Sequence, residues 1–265
     1  MMPTHYKIYQ VDAFTSELFK GNPAAVVFLD TWLADHLMLQ IAQENALAET
    51  AFLIEVDQGY HIRWFTPEIE MDLCGHATLA AAHCVFEHED WPSAELVFQS
   101  VSGALTIRKS GVMYTLDFPS RPPVPATLPD NIFRALSIKP KEVYKSRDYI
   151  LVYESEQDIL DIQVDQRTLD EINIDPGGVA VTAAGDSCDF VSRFFTPQAS
   201  ILEDPVTGSA HCSLTPFWAD RLGKSKMLAQ QLSNRGGVLH VELRTDSVWI
   251  SGQAKTFMEG RIQLV

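Results

Sequence analysis

Arg63-Trp64-Phe65-Thr66-Pro67 returns as Arg193-Phe194-Phe195-Thr196-Pro197, 130 residues further on. Cys74-Gly75-His76-Ala77 falls against Thr207-Gly208-Ser209-Ala210 at an offset of 133, so three residues are inserted between the two matches. Gly103–Leu116 (GALTIRKSGVMYTL) then repeats the pattern of Gly237–Ile250 (GVLHVELRTDSVWI). The order is strand, Phe-Thr-Pro, glycine-led helix, hairpin, and it occurs twice. Chance supplies one short match; three in register mark a duplicated α/β unit. Two copies are too few for a solenoid, so they predict an α+β fold of two pseudo-symmetric lobes with a cleft between them.

The break between the copies is Phe118–Asp130 (FPSRPPVPATLPD), which holds five of the chain's 14 prolines. Proline donates no backbone N–H and disfavours helix in the residue before it, so this stretch reads as an extended connector. It divides the chain into an N-terminal lobe, 1–118, and a C-terminal lobe, 119–265, with the final strand able to pack back on the first lobe. Lys7–Phe14 and Ala24–Leu29 read as strands, and Thr50–Val56 with Tyr60–Phe65 as a hairpin turning at Gln58-Gly59. Ala34–Ala46 has helical periodicity, with Leu37, Met38 and Ile41 facing inward. Gly75–His88 is rich in alanine and apolar almost all round, so it belongs inside its lobe. Gly208–Leu222 is its counterpart, shortened or bent at Pro216. Each lobe is therefore expected to be a curved, mostly antiparallel, barrel-like sheet around one central helix.

Composition narrows the function. The 265 residues carry 20 Lys+Arg against 35 Asp+Glu, a formal charge of −15, and are 46% hydrophobic. That is a globular composition, and its acidity repels phosphate backbones and acidic membranes alike. No apolar run approaches the ~20 residues that span a bilayer. Met1–Asp12 lacks a signal-peptide pattern. The four cysteines follow no disulfide-scaffold spacing and include no CxxC pair. The expectation is a cytoplasmic protein with reduced thiols and a small-molecule partner, with no nucleic acid and no membrane.

Both central helices open on glycine: Gly75-His76-Ala77 and Gly208-Ser209-Ala210. A first helical turn offers unpaired N–H groups and partial positive charge, and glycine lets a ligand approach the backbone. Ser209 capping its helix, with both glycines in tight turns, is the ordinary alternative. Glu49 lies in Asn45-Ala46-Leu47-Ala48-Glu49-Thr50-Ala51-Phe52. Amid that much apolar surface, desolvation favours a protonated carboxyl and suits it to acid/base work; an exposed glutamate at a strand entrance is the alternative. Asp204, in Glu203-Asp204-Pro205-Val206-Thr207-Gly208, reads as a site carboxylate or as a partner of the helix dipole. His76 reads as an acid/base partner or a packing histidine. Cys74 with His76, His83 with Cys84, and His211 with Cys212 are near neighbours, but none has metal-ligand spacing, so no metal is expected. No dinucleotide fingerprint, P-loop or nucleophile elbow is present, which leaves chemistry without a cofactor.

Lys20-Gly21-Asn22-Pro23-Ala24-Ala25-Val26-Val27, Ala48-Glu49-Thr50-Ala51-Phe52, Phe65-Thr66-Pro67, Cys74-Gly75-His76-Ala77-Thr78 and Glu203-Asp204-Pro205-Val206-Thr207-Gly208-Ser209-Ala210-His211 together resemble the PhzF (phenazine-biosynthesis F) family, in order and over essentially the whole chain. The resemblance implies a diaminopimelate-epimerase-like fold with the active site between two lobes, and a homodimer. It implies that Glu49 shuttles a proton in isomerising a small carboxylate, that His76 and Asp204 bind and polarise the substrate, and that Gly75, Gly208 and Ser209 contribute substrate-binding groups at the helix ends. Within the wider fold, diaminopimelate epimerases and proline racemases use two opposed cysteines. Here Cys74 faces the position of Thr207, whose hydroxyl has no accessible anion near pH 7, so a two-thiol racemase is disfavoured. The reading from a different class is a protein that keeps this fold to bind a small molecule or another protein, without catalysis.

Overall fold

β-branched and aromatic alternation carries β1 (Thr4–Ala13) back along β2 (Asn22–Leu29). The computed structural model describes residues 4–174, 177–199 and 201–264. The chain continues through α1 (Asp35–Asn45), β3 (Glu49–Val56), β4 (Gly59–Phe65), β5 (Glu70–Met71), α2 (Gly75–His88), β6 (Glu95–Ser100), β7 (Gly103–Ser110) and β8 (Met113–Pro119). Then follow β9 (Val124–Pro125), α3 (Asp130–Ala135), β10 (Glu142–Lys145), β11 (Tyr149–Val152), α4 (Glu156–Asp161), α5 (Gln166–Leu169), β12 (Val179–Ala184), β13 (Phe190–Phe195) and β14 (Glu203–Asp204). A 3-10 turn at Gly208–Ala210 leads into α6 (His211–Leu222), and β15 (Lys226–Gln231), β16 (Gly237–Leu243), β17 (Ser247–Gly252) and β18 (Ala254–Leu264) complete the fold.

Two compact units result. The first comprises Met1–Asp117 and Ser251–Val265, the second Phe118–Ile250. The last strand belongs to the first unit because β18 pairs antiparallel with β1 along its length, Thr4 facing Leu264 and Ala13 facing Ala254.

The duplication holds pair by pair. β2 runs parallel to β3 as β11 does to β12. β3 and β4 form a hairpin as β12 and β13 do, and β5 and β14 return against them. β4 runs parallel to β6 as β13 does to β15. Antiparallel pairings dominate, as expected of mostly antiparallel sheets, and among the described residues each unit also has two parallel pairings. The Arg-x-Phe-Thr-Pro repeat has a shared physical basis. Arg63 forks Glu70 at 2.6 Å through both nitrogens and lies 5.2 Å over the Phe65 ring. Arg193 forks Glu203 at 2.7 and 2.9 Å and lies 5.1 Å over Phe195. Each fork ties the short return strand to its hairpin. The three inserted residues fall in the turn between them: Thr66 N–H donates to Ile69 O, whereas Thr196 N–H reaches Leu202 O.

In the first unit α2 is buried from Gly75 to Phe86, as an alanine-rich helix with no polar face must be. α1 buries Met38, Ile41 and Ala42, with Leu37 packed at the margin of that core. In the second unit α6 is buried from His211 to Ala219. Two expectations for α6 need correction. The α-helix does not begin at Gly208, since that first turn is 3-10. Of the two effects expected at Pro216, shortening or a bend, shortening there is not seen: the helix continues through it to Leu222. Pro216 has no N–H for the carbonyl of Cys212 four residues back, and Arg121 N–H in the proline-rich connector donates to that carbonyl instead at 2.9 Å. The missing helical bond becomes the attachment point of the connector.

Two core histidines make stability depend on pH. His83 sits between the Tyr114 and Thr256 hydroxyls, at 3.0 and 2.8 Å, and His211 contacts Thr207 O at 2.9 Å. Burial pushes each imidazole down to about 4. The unfolded chain takes up these protons near pH 6.5 while the folded chain does not, so stability falls as pH drops from about 6.5 towards 4. We expect roughly 2 kcal/mol of loss per histidine between pH 7 and 4.5. Urea midpoints at the two pH values measure it; if His211→Gln shows the same slope as the wild type, His211 is not a source of the effect.

Candidate active site

Each unit carries one cluster of polar side chains at the start of its central helix. In the first unit, parallel pairing sets Ala24 beside Glu49 and brings the start of β2 against the start of β3. The first turn of α2 presents His76 there, 4% exposed and 2.9 Å through Nε2 from Glu49 Oε2, itself 15% exposed. Glu49 is thus neither fully desolvated nor the exposed strand-entrance residue; it stands at the margin, with its carboxylate turned inward. The contact is a close charge pair not aligned as a hydrogen bond: both atoms are buried and neither has a hydrogen-bond partner among the described residues. On the other side of the ring, Nδ1 lies 3.0 Å from Asn22 Nδ2 and 3.6 Å from Cys74 Sγ. Burial opposes the imidazolium, but the Cys74 sulfur and the Glu49 carboxylate outweigh it and hold His76 well above its ordinary value. Burial and then Glu49 push the Cys74 thiol up, while His76 beside it pulls it down.

Asn22 has no solvent exposure and is placed by its neighbour. Gly21 turns at φ +66°, where a Cβ would stand 2.1 Å from Ala13 O. Only glycine makes this turn without strain, and it delivers the Asn22 amide to the imidazole.

The donor atoms of Glu49, Cys74 and His76 lie within 4.8 Å of one another, a carboxylate–imidazole–thiol set of a kind that binds divalent ions. As arranged, His76 divides its nitrogens, Nε2 towards Glu49 and Nδ1 towards Asn22 and Cys74.

The second unit repeats the architecture with different chemistry. Thr50 faces Phe65 as Val179 faces Phe195, so Gly178 occupies the place of Glu49. A Cβ there would meet the Phe194 ring at 2.3 Å, so the position admits no carboxylate. Ser209 stands where His76 does in the first copy. It caps nothing: it lies inside the 3-10 turn, and its hydroxyl accepts from Arg147 Nη2 at 2.8 Å. Asp204, on β14, accepts from the Thr207 hydroxyl at 2.5 Å. Gln231, 1% exposed, secures this loop by accepting from Thr207 N–H at 2.8 Å and donating to Asp204 O at 2.7 Å.

The structure thus brings Glu49, Gly75 and His76 together in one unit, and Asp204, Gly208 and Ser209 into one loop and turn of the other. Sequence reasoning missed three supporting residues. Asn22 lay inside a quoted motif without a role. Arg147 and Gln231 carry no local signal, because only the strand pairing brings them to the turn.

The phenazine biosynthesis-like (PhzC-PhzF) family matches residues 11–260. An uncharacterized isomerase of Pseudomonas aeruginosa is 46% identical over 257 residues, covering 97% of this chain and 98% of that one. A phenazine biosynthesis-like domain-containing protein of Bos taurus is 34% identical over 96% of this chain and 98% of its own. Among solved structures, a PhzF family protein of Enterococcus faecalis superposes with a TM-score of 0.94 at 45% identity, over 98% of this chain and 100% of that one. A hydroxyproline epimerase of Agrobacterium vitis shares the α+β fold alone, with a TM-score of 0.64 at 9% identity, over 98% of this chain and 93% of that one. With the family matched from end to end and the two-copy fold shared, this chain is a member of the phenazine biosynthesis-like family.

Proposed function

We propose that this protein is an isomerase of a small carboxylate-bearing molecule, working by proton transfer without a cofactor. The observation that carries the reading is the Glu49–His76 pair, whose facing buried atoms have no hydrogen-bond partner among the described residues and are poised to engage a substrate. Glu49 as carboxylate takes a proton from one carbon, the electron pair moves along a conjugated system, and the same carboxyl returns the proton to another carbon. Atoms and oxidation state are conserved, so no redox partner is required. His76, held towards its charged form, stabilises the negative charge that develops, and Asp204 polarises a substrate donor. Gly75, Gly208 and Ser209 supply backbone and hydroxyl groups to the substrate's polar ends.

We further propose that the protein acts in the cytoplasm as a homodimer. Its four cysteines are free thiols, and among the described residues no helix is long and apolar enough to cross a membrane. Support for self-association comes from exposed Phe257 and Met258 on β18, beside exposed Phe19, whose ring lies 5.7 Å from that of Phe257.

The test is incubation of purified protein with a panel of amino- and hydroxy-carboxylates, including cyclic dienes, with nothing added. The expected product has the mass of its substrate and a relocated double bond. A product at a different oxidation level overturns the reading. Tight binding of a panel member with no product at all favours a non-catalytic binding protein.

A further inference from the structure

In the second unit the 3-10 turn that opens the buried helix is addressed by a chain of contacts starting between β10 and β11. That turn is fastened to the start of β12 by Tyr149 N–H, which donates to Gly178 O at 2.9 Å. A Cβ on Gly177 would stand 2.4 Å from Arg147 O, so glycine there lets the two backbones meet. Asp148, 2% exposed, accepts from Gly178 N–H at 2.9 Å and from Arg147 Nε and Nη2 at 3.2 Å each. Nη2 also donates to Ser209 Oγ at 2.8 Å. The first unit addresses His76 through Asn22 from a position one residue out of register with Arg147. A hydroxyl carries one hydrogen and two lone pairs. At Ser209 one lone pair takes a cationic N–H, so the oxygen faces the guanidinium and the proton turns away from it. Among the described residues the half-buried Ser209 hydroxyl donates to no group. Asp204, the carboxylate of the same loop, accepts from the Thr207 hydroxyl instead.

We infer that Arg147 is a positioning residue: it holds the Ser209 hydroxyl as a hydrogen-bond donor, so the substrate group bound there is an oxygen acceptor. The inference rests on the proposed reading of Ser209 as a substrate-binding residue, and adds what makes that residue select the carboxylate end of the substrate. The guanidinium polarises the hydroxyl and strengthens its donation. Asp148 orders the guanidinium beforehand, so little side-chain entropy is lost on binding. A ligand that offers only a donor there, such as an ammonium, meets the outward proton and is disfavoured. Arg147 acts through Ser209, without a contact of its own to the substrate.

Ser209→Cys puts a thiol in place of the hydroxyl and reads the contact without any substrate. Alkylation by iodoacetamide, followed by mass spectrometry on the peptide that carries position 209, gives the pH midpoint of that thiol. An ordinary cysteine titrates at ~8.5, and the guanidinium is expected to bring this one down by about one unit. Adding Arg147→Gln is expected to raise the midpoint again by about one unit, a tenfold loss of thiolate at a fixed lower pH. Arg147→Gln leaves Asp148 buried without its cation, so Arg147→Gln together with Asp148→Asn removes the pair as a whole and repeats the measurement with no orphaned charge. A merely structural role changes the plateau rate of alkylation and leaves the midpoint in place; a midpoint that neither variant moves overturns the inference. On the substrate found with the panel above, Ser209→Ala and Arg147→Gln are each expected to lower kcat/KM about tenfold, mainly through KM, and the two together no more than Ser209→Ala alone. Losses that multiply place the action of Arg147 elsewhere and overturn it as well. A protein that turns nothing over sinks the isomerase reading, and the thiol midpoint then decides this inference by itself.

Discussion

Replacing Glu49 by glutamine is expected to leave a folded protein with turnover about 10³-fold lower, the scale of a lost general acid/base. Glutamine keeps the shape at the start of β3, where the side chain is 15% exposed. The lost charge contact with His76 is expected to cost no more than ~1–2 kcal/mol of stability. What glutamine cannot do is accept a proton from carbon and return it. Glu49→Asp keeps the carboxylate but withdraws it by one methylene from His76 Nε2, now 2.9 Å away. A misplacement of that order costs about 10²-fold in rate, so aspartate should fall between wild type and glutamine. Steady-state rates and urea midpoints for the three proteins separate the chemical effect from a folding effect. A glutamine variant near wild-type rate removes Glu49 from the mechanism.

Gly21→Ala is expected to have the largest effect on stability, about 3 kcal/mol or more. The new methyl would stand 2.1 Å from Ala13 O and 2.8 Å from Thr15 Cγ2, and the backbone holds φ at +66°. The left-handed conformation alone costs an alanine roughly 1–2 kcal/mol. The clash adds to it, because Ala13 O belongs to the strand end that pairs with Asn22. Relief requires the β1–β2 turn to shift, which carries Asn22 away from His76. Lower activity in whatever fraction remains folded is therefore expected as well. Chemical denaturation measures the first effect, and a loss under 1 kcal/mol would show that the turn relaxes freely.

The repeat was legible because its devices are local. Arg63 and Arg193 each reach a glutamate within the same turn of chain, so selection on the turn keeps the residues together in sequence. Gly75–His88 was legible to the residue, since an alanine-rich, all-round apolar segment has one use inside a small lobe. Glu49 and His76 were identifiable as candidates, but their contact is tertiary and follows from parallel pairing of β2 with β3. The 3-10 turn at Gly208 was hidden because Gly-Ser-Ala starts an α-helix as readily as a tighter turn. Pro216 misled for a related reason: the N–H that takes up the orphaned carbonyl of Cys212 comes from Arg121, far away in sequence. Gln231 and Arg147 lay beyond sequence reading, because a buried amide and a partly buried guanidinium gain their meaning only from the loop each one holds.

Solvent deuterium tests the central claim most directly. The converted substrate would be incubated with wild-type protein and with Glu49→Gln in D₂O, and the product carbons followed by NMR. Proton relocation through Glu49 predicts that the wild type introduces deuterium at the carbon that gains a hydrogen, to the extent that the carboxyl exchanges with solvent during turnover, and that the glutamine variant forms product and label about 10³-fold more slowly. Labelled product formed by Glu49→Gln at the wild-type rate would contradict it.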